Sequence, residues 1–158
     1  LPSFPTRRSS DLREPFVFEC ALKNRKFYIP NDGKMKLQFF HVDDLCKVIE
    51  KILEKHPTNH IYNVGNTESI DINTFIELCY KVVGTPLEKV YVTEHNNQRD
   101  YFSFYDYEYS LDVTKQSELL MEEKDLFEGL KESYKWFKNN YNEVEKKDYI
   151  KYIEENFK

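Results

Sequence analysis

The chain is poor in glycine. It has four, at positions 33, 65, 84 and 129, and they are widely spaced. No predicted strand is followed by a G-x-G-x-x-G turn, so no local sequence is built to cradle a pyrophosphate at a helix N-terminus. Walker loops and G-x-S-x-G elbows are missing too. No apolar run approaches the roughly 20 residues of a membrane helix, and the mean hydropathy is −0.74, so no membrane association is expected. Cysteine is scarce: Cys20, Cys46 and Cys79, an odd number without a C-x-x-C pair. This reads as buried, reduced thiols in a cytoplasmic protein. Only His56 and His60 have helical ligand spacing, and Pro57 breaks the helix between them, so no metal site is expected. A net charge of −5 makes the chain a poor polyanion binder.

What is present suits one globular domain. The 158 residues are 40% hydrophobic and include 12 Tyr and 12 Phe, enough for a core. The opening stretch stands apart. Residues 1–12 lack periodicity, differ from the Lys-rich remainder and resemble the translated read-through of a sequencing adapter. They are set aside as a non-native leader. On this reading the natural protein is cut just before Arg13 and its N-terminal part is missing.

The pattern beyond Arg13 predicts a short helix over 14–23, a strand at 27–29, an Asn31-Asp32-Gly33 turn and a returning strand over 35–40. Residues 26–40 therefore read as a hairpin. Asp43 or Asp44 is expected to cap a helix with Leu45, Val48, Ile49, Ile52 and Leu53 on one face, ended by His56-Pro57. A strand over 60–64 follows. A helix capped by Ser69 or Asp71 is stopped by Gly84, and a strand spans 88–93. A short helix over 111–120, a clear one over 126–137 and a charged tail helix over 143–158 complete the chain. Alternation of this kind predicts an α/β protein. Tyr134 and Lys138 form a Tyr-x-x-x-Lys, but Tyr134 lies on an apolar stripe, so the pair reads as packing rather than chemistry.

Four segments carry a resemblance. They are Phe39-Phe-His-Val-Asp-Asp-Leu45, Ile61-Tyr-Asn-Val-Gly65, Leu111-Asp-Val-Thr-Lys115 and the stretch from Glu128-Gly-Leu130 to Trp136. In this order they resemble the C-terminal half of extended short-chain dehydrogenases, the NAD-dependent epimerase/dehydratase family. Gln38 before His41-Val42, and the aromatic run over 101–107, look nearest to the chloroplast stem-loop-binding branch and its bacterial relatives. The fold class this implies is α/β: the C-terminal substrate-binding part of a Rossmann-type protein, with a hairpin, alternating strands and helices, and a helical tail. The implied domains are the leader 1–12, a substrate-side region 13–141 and the tail 142–158.

The resemblance implies a fragment of an NAD(P)-dependent epimerase, dehydratase or reductase acting on a sugar nucleotide or similar polar metabolite. The intact parent would bind NAD or NADP and could be a homodimer. This chain would keep only substrate-side residues, bind no cofactor, hold no catalytic residue and be inactive alone. The candidate substrate-binding residues are Arg99, Gln38 and Tyr101. Arg99 stands where the family often clamps a diphosphate, a task suited to the guanidinium fork. A surface Arg99 paired with Asp100 is the bland alternative. Leu37 stands where the family often has a second Arg, which weakens the sugar-nucleotide case. Structurally, His41 reads as a buried orienter, Asn63 and Gly65 as a strand exit, and Trp136 as a packing anchor. The alternative function is a non-catalytic relative binding RNA or a protein partner through the aromatic segment 101–109. Five acids against one base over residues 94–112 argue against RNA.

Overall fold

The structure, a computed structural model, describes residues 13–59, 61–93 and 110–144, together with Lys151 and Glu155. Helix α1 (Arg13–Leu22) buries Phe16, Val17, Phe18, Cys20 and Ala21. Strand β1 (Phe27–Pro30) follows, with Phe27 and Ile29 fully covered. Next come β2 (Lys36–Leu37), α2 (Val42–Lys55), β3 (Ile70–Asp71), α3 (Ile72–Val83) and β4 (Lys89–Val92). A 3₁₀ turn spans Thr114–Glu118, and α4 spans Leu126–Asn139.

The helix ends follow local chemistry. Asp71 caps α3 by accepting from Thr74 N at 2.7 Å, and Gly84 ends it at φ 83°, a left-handed conformation that costs glycine little. Asp125 caps α4 through Glu128 N. The cap of α2 differs from expectation. His41, not an aspartate, takes that place, its Nδ1 accepting from Asp43 N at 3.3 Å. Asp44 is directed elsewhere, as described below.

Helix α3 lies at the centre, against both α1 and α4. It buries Ile72, Phe75, Ile76, Cys79 and Tyr80. Phe39 stacks on Phe75 at 4.7 Å, and the Tyr80 hydroxyl donates to Arg25 O at 2.6 Å. Burial pushes the Cys20 thiol up to about 12 and the Cys79 thiol well above its ordinary value, so neither is a nucleophile. A smaller cluster joins Val48 of α2 to Leu119 and Leu120, flanked by Ile52, Tyr62 and Val64.

Several expectations are corrected. Residues 26–40 form no hairpin: β1 pairs in parallel with β4, from Phe27 opposite Lys89 to Pro30 opposite Val92, while β2 pairs antiparallel with β3. The reason is burial. Phe27 meets Phe16 of α1 and Tyr80 of α3, and a strand buried in this way suits a parallel neighbour reached through a helical crossover. Asn31 (φ 52°) and Gly33 (φ 69°) turn the chain away before β2. Residues 61–64 run without a ladder partner, so the strand expected there is not formed. The helix expected over 111–120 shrinks to the 3₁₀ turn. Cys46 is exposed rather than buried, and Trp136 is 58% exposed, so it anchors no core. The fold class is corrected as well. The chain is α/β and Rossmann-like, with helix and strand elements from its N-terminal end onward (β1 begins at residue 27), and is not limited to a C-terminal substrate-binding lobe. The tail expected to be helical falls almost wholly outside the described residues. No described helix is long and apolar enough to cross a membrane.

Candidate functional site

The four motif segments meet in space and are joined by side chains that imitate backbone. The amide of Gln38 donates through Nε2 to Asn66 O (2.9 Å) and Leu111 O (3.2 Å), and its Oε1 accepts from Leu111 N (2.8 Å). Buried Gln116 does the same to Gly65, accepting from its N–H and donating to its carbonyl, both at 2.9 Å. Glu123 then accepts from Gln116 Nε2, Thr67 N and Thr67 Oγ1. Asn63 donates to Asp112 O at 3.0 Å. Residues 110–123 are thereby fastened to residues 38–67.

A Cβ at Gly65 would lie 2.8 Å from Gln38 Cδ, inside contact distance. Gln38 cannot yield without breaking its three bonds. Gly65→Ala is therefore expected to destabilise by about 1–3 kcal/mol, read as a lower urea midpoint with an unchanged slope.

Asp44 fastens the other side. It is fully buried, and its carboxylate accepts from Lys124 N at 2.6 Å and Lys47 Nζ at 2.7 Å. Burial alone would raise its pKa. The Lys47 ammonium and the Lys124 N–H outweigh that and hold it below its ordinary value. Next to it, Gly129 lets α4 approach the His41 ring, where a Cβ would sit 3.0 Å from Cδ2. His41, Asp43 and Glu132 come close enough together to suggest a cation site. The Lys124 ammonium already bridges Asp43 (2.9 Å) and Glu132 (2.6 Å) and supplies the charge a metal would bring.

A candidate binding surface lies at the carboxyl ends of the parallel pair, the edge where ligands settle in open α/β sheets. There Asn31, Asp32, Tyr91 and Thr93 line an open recess of about 600 Å³. Asn73 braces it. Its Nδ2 donates to Asp32 O at 2.8 Å, and its Oδ1 accepts from Tyr91 OH at 3.1 Å and Lys89 Nζ at 3.3 Å. Lys89 also pairs with Glu77. The walls thus offer amide, hydroxyl and carboxylate groups beside a half-exposed aromatic ring, a set that suits a polyhydroxylated ligand. The lone signal of this recess in the sequence was the Asn-Asp-Gly turn, read there only as a turn.

Of the expected substrate residues, Gln38 is placed by the structure, at the return of the chain to Leu111. Arg99 and Tyr101 lie outside the described residues, as does the aromatic segment 101–109. Their segment leaves from Thr93, on the recess, and returns at Ser110, beside the Gln38 clamp. A second groove, of about 810 Å³, runs along the 3₁₀ turn between Thr67, Asp112, Gln116, Met121 and Glu123.

A parallel β1–β4 pair covered by α1 and α3 defines a Rossmann-like α/β protein. Comparisons agree. The model of the NAD dependent epimerase/dehydratase family matches residues 8–65. The chain is 26% identical over 130 residues to RHM3 of Arabidopsis thaliana, a trifunctional UDP-glucose 4,6-dehydratase, UDP-4-keto-6-deoxy-D-glucose 3,5-epimerase and UDP-4-keto-L-rhamnose-reductase, covering 80% of this chain and 18% of that protein. Its fold is similar to UDP-glucose 4-epimerase of Thermotoga maritima with UDP-glucose (24% identity, TM-score 0.62, 80% of this chain and 39% of the other). It is also similar to dTDP-glucose 4,6-dehydratase of Bacillus anthracis in complex with NAD (23%, 0.62, 84% and 40%). The chain thus spans about a fifth of the curated relative and two fifths of these solved structures.

The match from residue 8 corrects the expectation of a C-terminal portion lacking its N-terminal lobe. Family sequence stands near the N-terminal end of this chain and begins inside the stretch set aside as a leader. The described residues do not fit a dinucleotide. The turn after β1 leads to a strand instead of a helix, and Asp71 caps α3 directly after β3 with no glycine to admit a pyrophosphate.

Proposed function

We propose that this protein binds a sugar nucleotide through the recess at the carboxyl ends of β1 and β4, as an NAD-dependent epimerase/dehydratase-type protein. The observation that carries the reading is the recess itself: polar groups braced by Asn73, at the edge from which the Arg99 segment departs. Arg99 is the diphosphate clamp in this proposal, and Tyr101 is a second substrate-binding residue. Gln38 serves from its place beside Leu111, holding the return of that segment. Where the family's chemistry runs on NAD(P), this chain's described residues contribute binding and orientation of the substrate. Asp32 is the carboxylate among the recess residues named above, and the Lys34 ammonium and N–H hold its carboxyl below the ordinary value, which suits binding better than proton abstraction.

The test is calorimetric titration of the chain with UDP-glucose, dTDP-glucose and UDP. Arg99→Ala is expected to weaken binding about 10–100-fold, the worth of a charge-assisted guanidinium–phosphate pair. It should leave the melting temperature unchanged. Binding of all three ligands undiminished in Arg99→Ala would remove the clamp. Absence of binding by the parent chain would remove the proposal.

A further inference from the structure

His41 stands where the start of α2 meets α4. Its Nδ1 accepts from Asp43 N at 3.3 Å and so caps α2. A ring nitrogen that accepts carries no proton, which places the imidazole proton on Nε2. Nε2 lies 3.5 Å from Glu132 Oε2 of α4. Only 15% of the side chain is exposed, and the ring is pressed against Gly129, where a Cβ would stand 3.0 Å from Cδ2.

The groups around the ring form one charged cluster. Asp43 Oδ2 is 3.6 Å from Nδ1. The Lys124 ammonium holds the same two oxygens that face the imidazole, Asp43 Oδ2 at 2.9 Å and Glu132 Oε2 at 2.6 Å. Two carboxylates against one ammonium leave a negative charge in excess. The other charges nearby are engaged with one another. Asp44 of α2 pairs with Lys47, Asp125 caps α4, and Glu128 of α4 pairs with Lys131. From α1, Glu14 shares with His41, Asn66 and Ser133 the wall of a cavity of about 80 Å³, and it adds to the negative side. Asn66 Oδ1 is buried without a hydrogen-bond partner among the described residues, a further acceptor beside the ring.

We infer that His41 is a proton-operated switch at this junction: neutral, it caps α2; protonated, it gives up the cap and competes with Lys124 for Asp43 and Glu132. The proton comes from solvent and binds the Nδ1 lone pair that the Asp43 N–H uses. That N–H is exposed and turns to water. The imidazolium then donates to Asp43 through Nδ1 and to Glu132 through Nε2, and its charge answers the excess in the cluster. Histidine is the side chain whose charge ordinarily changes between pH 5 and 8. The Asp43 carboxyl, held below its ordinary value chiefly by Lys124, stays ionised across that window. The output is at Lys124, whose N–H is tied to Asp44 and whose neighbour Glu123 holds Thr67 and Gln116.

The experiment is nitrogen-15 NMR of the 158-residue chain between pH 8 and pH 5, following the imidazole nitrogens of His41 and the amides of Asp43 and Lys124. The expected result is a proton on Nε2 at pH 8, and Asp43 and Lys124 amides that shift with the same midpoint as the ring. Glu132→Gln should lower that midpoint by about 0.5 pH unit or more, and Lys124→Met should raise it. His41→Asn keeps a cap acceptor that does not titrate, so the Asp43 amide should lose its step. Circular dichroism establishes that each variant is folded. A proton on Nδ1 at pH 8 overturns the inference, and so does an Asp43 amide that ignores the ring or keeps its step in His41→Asn. A Lys124 amide indifferent to the titration, or a midpoint unmoved in both Glu132→Gln and Lys124→Met, overturns the competition.

Discussion

Replacing Asp44 by alanine is expected to cost about 2–4 kcal/mol of stability, because it orphans the part-buried Lys124 N–H, empties the fully buried place of the carboxylate and strips α2 of a carboxylate in its first turn. For a chain of this size the loss corresponds to a fall in melting temperature of roughly 5–15 °C. Lys47 is half exposed and can return to water, so it adds little to the cost. Asp44→Asn retains an oxygen to accept from Lys124 N and is expected to lose less than the alanine variant. Equal losses in both would place the stabilisation in the charge rather than in the hydrogen bond. The pH dependence follows from the depressed carboxyl. Its contribution is complete above the ordinary carboxylate range, near 3.9, and is lost as pH falls through the lower folded value. Asp43, depressed by Lys124, shares that acid limb, so Asp44→Asn should flatten it only in part.

Gln116→Met is the second large effect. The side chains have similar length and volume, so the change removes the amide and little else. It leaves Gly65 N–H and C=O without partners in a buried place and takes one donor from Glu123. The expected cost is about 2–4 kcal/mol, from two orphaned backbone groups at 1–3 each with partial recovery of water contacts. Hydrogen exchange separates this from general loosening. The Gly65 amide should lose protection down to the open-loop level, while amides of α3 fall only by the global change. Protection of Gly65 kept in Gln116→Met would show that the pairing contributes little.

Local chemistry was legible in the sequence wherever it ends a helix. Asp71, Gly84 and His56-Pro57 bound α2 and α3 in the structure as their side chains and backbone freedoms require. The apolar spacing of α4 was equally plain. What stayed hidden depends on partners far along the chain. Nothing near Gln116 announces that its amide pairs with residue 65, and nothing near Asp44 points to residue 124. The aspartate's place in a first turn made a cap the natural reading, while His41, with a ring nitrogen able to accept, took that role. The hairpin failed because Phe27, Ile29 and Pro30 of β1 are buried and the strand pairs with β4, an arrangement that appears only once α1 and α3 are packed. The five apolar positions of α2 were read as one face, and they are one face, but the fold covers only part of it. For the candidate site, the sequence offered Arg99, Gln38 and Tyr101 through resemblance, whereas the recess at Asn31, Asp32 and Tyr91, braced by Asn73, needed strand order before it could be seen.

The β1–β4 pairing also sets the order in which this chain can fold. Phe27 meets Lys89, so roughly 60 residues must be drawn into a closed loop before the first ladder bond forms, and each such bond adds little against that entropy. The short-range elements, α2 with its cap and α3 with both ends fixed, need no such closure and form on the time scale of isolated helices. Docking of α1 onto α3 then brings the two strands together, and the parallel ladder closes last. Refolding after dilution from urea should accordingly show helical circular dichroism ahead of hydrogen-exchange protection of the Phe27 and Asn31 amides, which donate across the pair to Glu88 O and Val92 O, with the rate of the later phase set by chain topology rather than by stability.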